Sequence, residues 1–222
     1  MCLDKNEKTG MSCDFTTICP KRREGKECPY CYVKNARSLG FNAKKEIEYN
    51  QYTGQVLRLT QKTIDKLNKA GGLRLFSFGD YMSEHDEDIH NLLVDCEKRG
   101  LSVKVITKQL GFVEKFHDYS AIAVINLSID MVNSGINHEV AMLYRERYNK
   151  VRIRCVILRD SDIPNMLFCD VFTFNHGNNG FKNYSHKSNK ASKEALIAQY
   201  NLHGKTCCNT GNCGTCKLHC AM

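Results

Sequence analysis

The stretch AIAVINLSID, Ala121–Asp130, constrains the fold more than any other in the chain. Its nearly continuous apolar run suits a strand buried on both faces. Related runs recur on either side: Leu73–Asp80 (LRLFSFGD), Ser102–Lys108 (SVKVITK), Val151–Asp160 (VRIRCVILRD) and Val171–Gly177 (VFTFNHG). A weaker first strand is expected at Met11–Thr17. Helical stretches lie between them at Val33–Gln51, Thr60–Ala70, Ser83–Arg99, Val140–Lys150 and Ala191–Leu202. Gly71 and Gly72 end the second of these helices. Ser83, with Asp86 three residues on, resembles a capping box.

Alternation of strand and helix around doubly buried strands predicts parallel β/α units. Six strands in about 180 residues fall short of the roughly 250 residues of a complete eight-stranded barrel. The expected class is α/β: a partial (β/α)6 TIM-like barrel over residues 1–204, with an N-terminal cluster loop and a short C-terminal Cys-rich extension, 205–222. A doubly wound sheet is the alternative. Either fold puts the ligand face at the C-terminal ends of the strands. Polar groups gather there. Gly79 and Asp80 close the second strand, and Thr107 and Lys108 close the third. Asn126, Ser128 and Asp130 alternate by two, so they share one face of the fourth. Asn175, His176 and Gly177 close the last.

Composition decides how the thiols are read. Hydrophobic residues make up 42% and charged residues 25%, as in an ordinary globular chain. No apolar run approaches the roughly 18–20 residues that span a bilayer. The first residues, MCLDKNEKTG, lack the apolar core of a secretory signal. A cytoplasmic protein with no membrane partner is expected. In that compartment thirteen cysteines point to metal or redox chemistry rather than to disulfides. The formal charge of +8 suggests an anionic partner such as nucleic acid. Metal-bound thiolates would cancel much of it.

The cysteines concentrate at the two ends. The run CCNTGNCGTCKLHC offers Cys208, Cys213, Cys216 and Cys220 as four ligands of one centre, with Cys207 equivalent to Cys208 by sequence. Its tight C-x2-C-x3-C spacing is closer to iron–sulfur ligation than to a zinc ribbon, although a tetrahedral zinc also accepts four thiolates. Near the start, Cys19, Cys28 and Cys31 offer three ligands around the basic insert PKRREGKE. Three ligands on a four-iron cluster leave one iron open to a small molecule. Cys13 is a fourth candidate there, but it shares strand parity with Met11 and Phe15, which favours the core. Cys2, Cys96, Cys155 and Cys169 are scattered and read as small buried hydrophobes.

Cys28-Pro-Tyr30-Cys31, following a first strand, resembles the cysteine motif of the radical S-adenosylmethionine (SAM) superfamily. The gap between Cys19 and Cys28 is longer than that family's usual first gap. The chain is also similar to a small phage-associated group of radical-SAM-like proteins, through Cys31-Tyr32, Arg74 to Gly79-Asp80, Ile106-Thr107-Lys108 and the cysteine run Cys207 to Cys220. The resemblance implies two 4Fe-4S clusters and SAM as cofactors. The first cluster would chelate SAM at its open iron. Reductive cleavage would give a 5′-deoxyadenosyl radical that acts on substrate. It further implies SAM contacts at Tyr30, Gly79, Asp80, Lys108, Asn126, Ser128, Asp130 and Arg154. Asp80 would receive the methionine ammonium, and Lys108 or Arg154 would pair with the carboxylate. The second cluster would be auxiliary. An electron donor such as flavodoxin or ferredoxin is implied, and the substrate stays open among peptide, nucleic acid and small molecule.

Two other stretches take plainer readings. His85, Asp86, Asp88 and His90 mimic a metal box, but acids in a first helical turn complement the helix dipole. The polar stretch from Asn175 to Lys190 suits a lid or substrate loop. Rival functions are a zinc or iron–sulfur protein that binds nucleic acid without catalysis, and an electron carrier.

Overall fold

The computed structural model describes residues 2–6, 10–15, 24, 61–69, 71–76, 79–132, 136–175, 181–184 and 186–206. Seven strands form one sheet in strictly sequential order. They are β1 (Cys2–Asn6), β2 (Gly10–Asp14), β3 (Leu73–Leu75), β4 (Val103–Thr107), β5 (Ile122–Ile129), β6 (Val151–Ile157) and β7 (Val171–Phe174). β2 through β7 are parallel to one another. β1, absent from the sequence reading, folds back antiparallel on β2 with Asp4 opposite Ser12.

Five α-helices are described: α1 (Gln61–Lys69), α2 (Asp86–Lys98), α3 (Leu110–Phe116), α4 (His138–Arg147) and α5 (Lys190–Gln199). Each parallel connection advances by one strand, so the order never reverses. That excludes the doubly wound alternative, whose order turns back at a switch point. Right-handed crossovers with no reversal put the helices on one side of the sheet, and the sheet curls as a half-barrel.

Burial separates the two faces. Leu73, Leu75, Val103, Val105, Ile125, Leu127, Ile129, Ile153, Ile157, Phe172 and Phe174 join Leu67, Ile89, Leu93, Phe112 and Ala141 of the helices in one core. The alternate strand positions point to the inner face, and their apolar members Ile106, Val124, Val156 and Val171 are buried outside that core. Cys13, Cys96, Cys155 and Cys169 are buried on the core side, as expected of small hydrophobes. Gly71 and Gly72 end α1 with φ of 77° and 114°. Gly72 N–H bonds the Leu67 carbonyl at 2.9 Å.

Local detail departs from the sequence in three places. A turn of 3-10 helix at Ser83–His85 precedes α2, and neither of their starts has a side-chain cap, so the Ser83–Asp86 capping box does not form. The cap position of α2 falls on His85, two residues after Ser83, so Ser83 is not the residue next to the first α-helical amides. α3 was not foreseen, because its seven residues are too few to show a period. Part of the presumed lid is anchored: Tyr184 is buried against Phe174 and donates to Asp160 Oδ1 at 2.6 Å, and Lys182 Nζ meets Asp160 Oδ2 at 2.6 Å. A large aromatic seated in the core outweighs the polar character of its neighbours.

Candidate functional site

Strands β3, β4, β5 and β6 place six of the expected residues on a rim at or near the C-terminal side of the sheet. They form two hydrogen-bonded groups, Asp80–Lys108–Asp130 and Ser128–Arg154, with Asn126 buried beside them and its Oδ1 without a hydrogen-bond partner among the described residues. Asp80 follows β3 and is only 8% exposed. Its Oδ1 accepts from Tyr81 N–H at 2.8 Å and from Thr107 Oγ1 at 2.5 Å, and its Oδ2 accepts from Lys108 N–H at 2.9 Å. Thr107 Oγ1 in turn accepts from Gln109 N–H at 2.9 Å. Asp80 therefore clasps the end of β3 to the end of β4. Burial pushes its carboxyl above the usual range, against the lowering effect of those donors and of the Lys108 charge. Three of about four lone-pair directions are occupied, which leaves Oδ2 room for one further donor.

Lys108 reaches across to β5. Its Nζ lies 2.6 Å from Asp130 Oδ2, and the Asp130 side chain is fully buried. Asp130 Oδ1 accepts from Val132 N–H at 2.9 Å. Arg154 on β6 spans its neighbours, with Nε donating to Thr173 Oγ1 at 3.0 Å and Nη1 to Ser128 Oγ at 3.4 Å. Asn126 and Ser128 are buried and face the same side as Arg154, because Ser128 stands in register with it. Gly79 is half-buried beside Asp80. The rim thus holds carboxylates and cations within a few strand spacings, the complement of a zwitterionic ligand.

Tyr30 and the cluster candidates other than the buried Cys13 lie outside the described residues: Cys19, Cys28 and Cys31 at one end, Cys207, Cys208, Cys213, Cys216 and Cys220 at the other. The chain reaches Cys207 one residue after Thr206, which bridges Phe172 of β7 in parallel. Residues 205 and 206 therefore join the sheet edge, with the Lys205 carbonyl accepting from Phe172 N–H at 2.9 Å.

The apparent metal box on α2 is not assembled. Asp86 is engaged by Tyr81 Oη at 2.7 Å and by Lys115, and His90 contacts Tyr119. Among the described residues no group of three or more ligating side chains forms. Asp86, Glu87 and Asp88 occupy the first turn of α2, as the dipole reading requires.

Sequence reasoning placed Thr107 at a strand end without a partner, assigned no role to Thr173, and passed over the basic residues Lys104 and Arg152. The signal for those cations was present. LRL, VKV and VRIR each set a basic residue between apolar ones at strand alternation.

No protein-family model, curated protein or solved structure matches the chain. Among the described residues no helix is long and apolar enough to cross a membrane.

Proposed function

We propose that the protein is a radical SAM-type iron–sulfur enzyme with an auxiliary 4Fe-4S cluster. One combination carries the reading: two cysteine groups on a chain whose sequential parallel sheet ends in a rim of paired charges. The donor chemistry fits. Three thiols, Cys19, Cys28 and Cys31, suit a cluster with an open iron, and Cys208 (or Cys207), Cys213, Cys216 and Cys220 suit a fully ligated one. Such a cluster with SAM supplies hydrogen-atom abstraction from an unactivated carbon.

The chain's own residues position the ligand. Asp130 and Lys108 present opposite charges side by side, fitted to the two ends of an amino acid. Arg154 offers a guanidinium held in place by Ser128 and Thr173. Asp80 acts first as a clasp that fixes Thr107 and Lys108, and offers its remaining lone pair to an ammonium.

The test is anaerobic reconstitution of the full chain. About eight irons per chain and a brown colour are expected for two four-iron clusters. Dithionite with SAM should then release 5′-deoxyadenosine, measured by chromatography. A fully loaded protein that releases none overturns the reading. Two zincs and no iron would support the non-catalytic rival.

A further inference from the structure

Two thiols that the proposed chemistry does not use lie together in the core. Cys155 stands on β6, in register with Phe172 of β7. Cys169 stands in the turn between a 3-10 helix at Pro164–Met166 and β7, with its N–H bonded to the Met166 carbonyl at 2.9 Å. Both thiols are free and buried, Cys155 at 0% and Cys169 at 1% exposure. The two side chains interact with each other, and the Cys155 thiol also donates to the Val171 carbonyl at 3.5 Å.

The backbone around them holds that approach. Asp170, next to Cys169, is tied to Ile153, two residues before Cys155. Asp170 N–H bonds the Ile153 carbonyl at 2.9 Å, and Asp170 Oδ2 accepts from Ile153 N–H at 2.8 Å. Arg145 of α4 donates to the other carboxylate oxygen at 3.2 Å. One buried cysteine would pack as a small hydrophobe and mean no more than that. Two that meet across a junction of strand and turn can also bond to each other.

We infer that Cys155 and Cys169 are a thiol–disulfide couple, oxidised to an intramolecular disulfide by exchange with a small-molecule disulfide. Cys169 lies in a turn and Cys155 inside the sheet, so local opening of the turn exposes Cys169 first. Its thiolate attacks one sulfur of a molecule such as glutathione disulfide, whose S–S bond breaks and releases one glutathione. As the turn recloses, Cys155 gives up its proton and attacks the Cys169 sulfur, expelling the second glutathione. The two cysteines lose two electrons and two protons, and one small disulfide is reduced to two thiols. The new bond closes a loop of about 15 residues and staples β6 to the start of β7. Burial holds the Cys155 thiol well above its ordinary value, so the closed fold stays reduced until the turn opens. The couple stands whether or not the protein cleaves SAM.

The experiment incubates the full chain anaerobically at a series of glutathione ratios, with urea absent or held below the unfolding transition. Acid quenching, alkylation of the remaining thiols with N-ethylmaleimide in denaturant, and non-reducing peptide mapping by mass spectrometry then read the linkage of Cys155 to Cys169. The linked fraction should rise with the ratio of glutathione disulfide to the square of glutathione, form faster in the urea samples, and be reversed by dithiothreitol. Linkage should raise the urea midpoint by about 1 M over the same sample after reduction. The double variant Cys155→Ala, Cys169→Ala, treated alike, should show no such rise. Should that variant fail to fold, the peptide map and midpoint of the parent decide alone. If Cys155 and Cys169 stay unlinked at every ratio, or link only to other cysteines, the inference is wrong. It is equally wrong if linkage leaves the midpoint in place, or if the double variant shows the same rise.

Discussion

Asp80→Asn tests whether Asp80 is a clasp before it is a ligand contact. An asparagine keeps one acceptor oxygen. Turned toward Tyr81 N–H and Thr107 Oγ1, it sets its own amide against Lys108 N–H, which lies 2.9 Å from Oδ2 in the parent. The lost bond to a charged acceptor and the stranded donor each cost about 1–3 kcal/mol. Relief of carboxylate desolvation offsets part of this, leaving a net loss of about 2 kcal/mol at neutral pH. For a chain of this length that lowers the melting temperature by roughly 4–8 °C. Thr107→Val should cost a similar amount, because it removes a donor to the carboxylate and an acceptor for Gln109 N–H. The double variant should lose less than the two singles together, by about 0.5–3 kcal/mol, since both remove one network.

The pH dependence has a definite sign. Burial holds Asp80 above its unfolded value, so ionised Asp80 weighs against the fold. Stability is gained as pH falls through the raised folded value toward the unfolded value of about 3.9, and is flat below it. The asparagine lacks that gain, so its deficit widens in mild acid. Thermal melts at neutral pH and in mild acid measure all of this. Unchanged melting with SAM cleavage lost would refute the clasp and favour a pure ligand role.

Other outcomes follow from geometry. Lys108→Met takes the Lys108 ammonium away from the buried Asp130 carboxylate and should lower stability in urea unfolding by about 1–3 kcal/mol, part of it recovered when Asp130→Leu is added. Gly72→Ala brings a methyl to within 2.3 Å of the Ser102 carbonyl oxygen at a φ of 114°, and a loss of more than about 2 kcal/mol is expected by the same assay. Burial pushes the Cys96 thiol up to about 12 and the Cys155 thiol well above its ordinary value. Mass spectrometry after iodoacetamide treatment of native protein should find both unmodified, and denaturant should expose both. Burial works against the Asp160 carboxylate, but Lys182 and Tyr184 hold it below its usual range. Its contribution is present above the unfolded value and is lost as pH falls through the lower folded one. Asp160→Asn should therefore reduce stability at neutral pH and leave it unchanged in strong acid.

The parallel strands were legible because burial on both faces writes itself as a run of apolar residues, and Ile122–Ile129 falls inside the predicted Ala121–Asp130. β1 was not legible. CLDKN has no apolar alternation, and only pairing with β2 makes it a strand. The rim residues Asp80, Lys108, Asn126, Ser128, Asp130 and Arg154 were recognisable as polar groups at strand ends. Their mutual pairing was not, because Lys108 and Asp130 are brought together by register and not by any sequence spacing. Lys104 and Arg152 were visible but unread: alternation shows which residues of one strand share a face, and only strand order and register show that they share it with Arg74 and Arg154.

The sequential strand order also sets how the sheet is assembled. Roughly 60 residues lie between Asp14 and Leu73, against roughly 13–27 across each later crossover, so joining β2 to β3 costs about 1 kcal/mol more loop entropy than the shortest join. The block from β3 to β7 is therefore expected to form first, and the β1–β2 hairpin to dock last and fray first in hydrogen exchange. Cys19, Cys28 and Cys31 all lie within that one long crossover. Any centre they hold shortens the effective loop by roughly 12 residues, so cofactor loading would favour closure of the sheet by a few tenths of a kcal/mol.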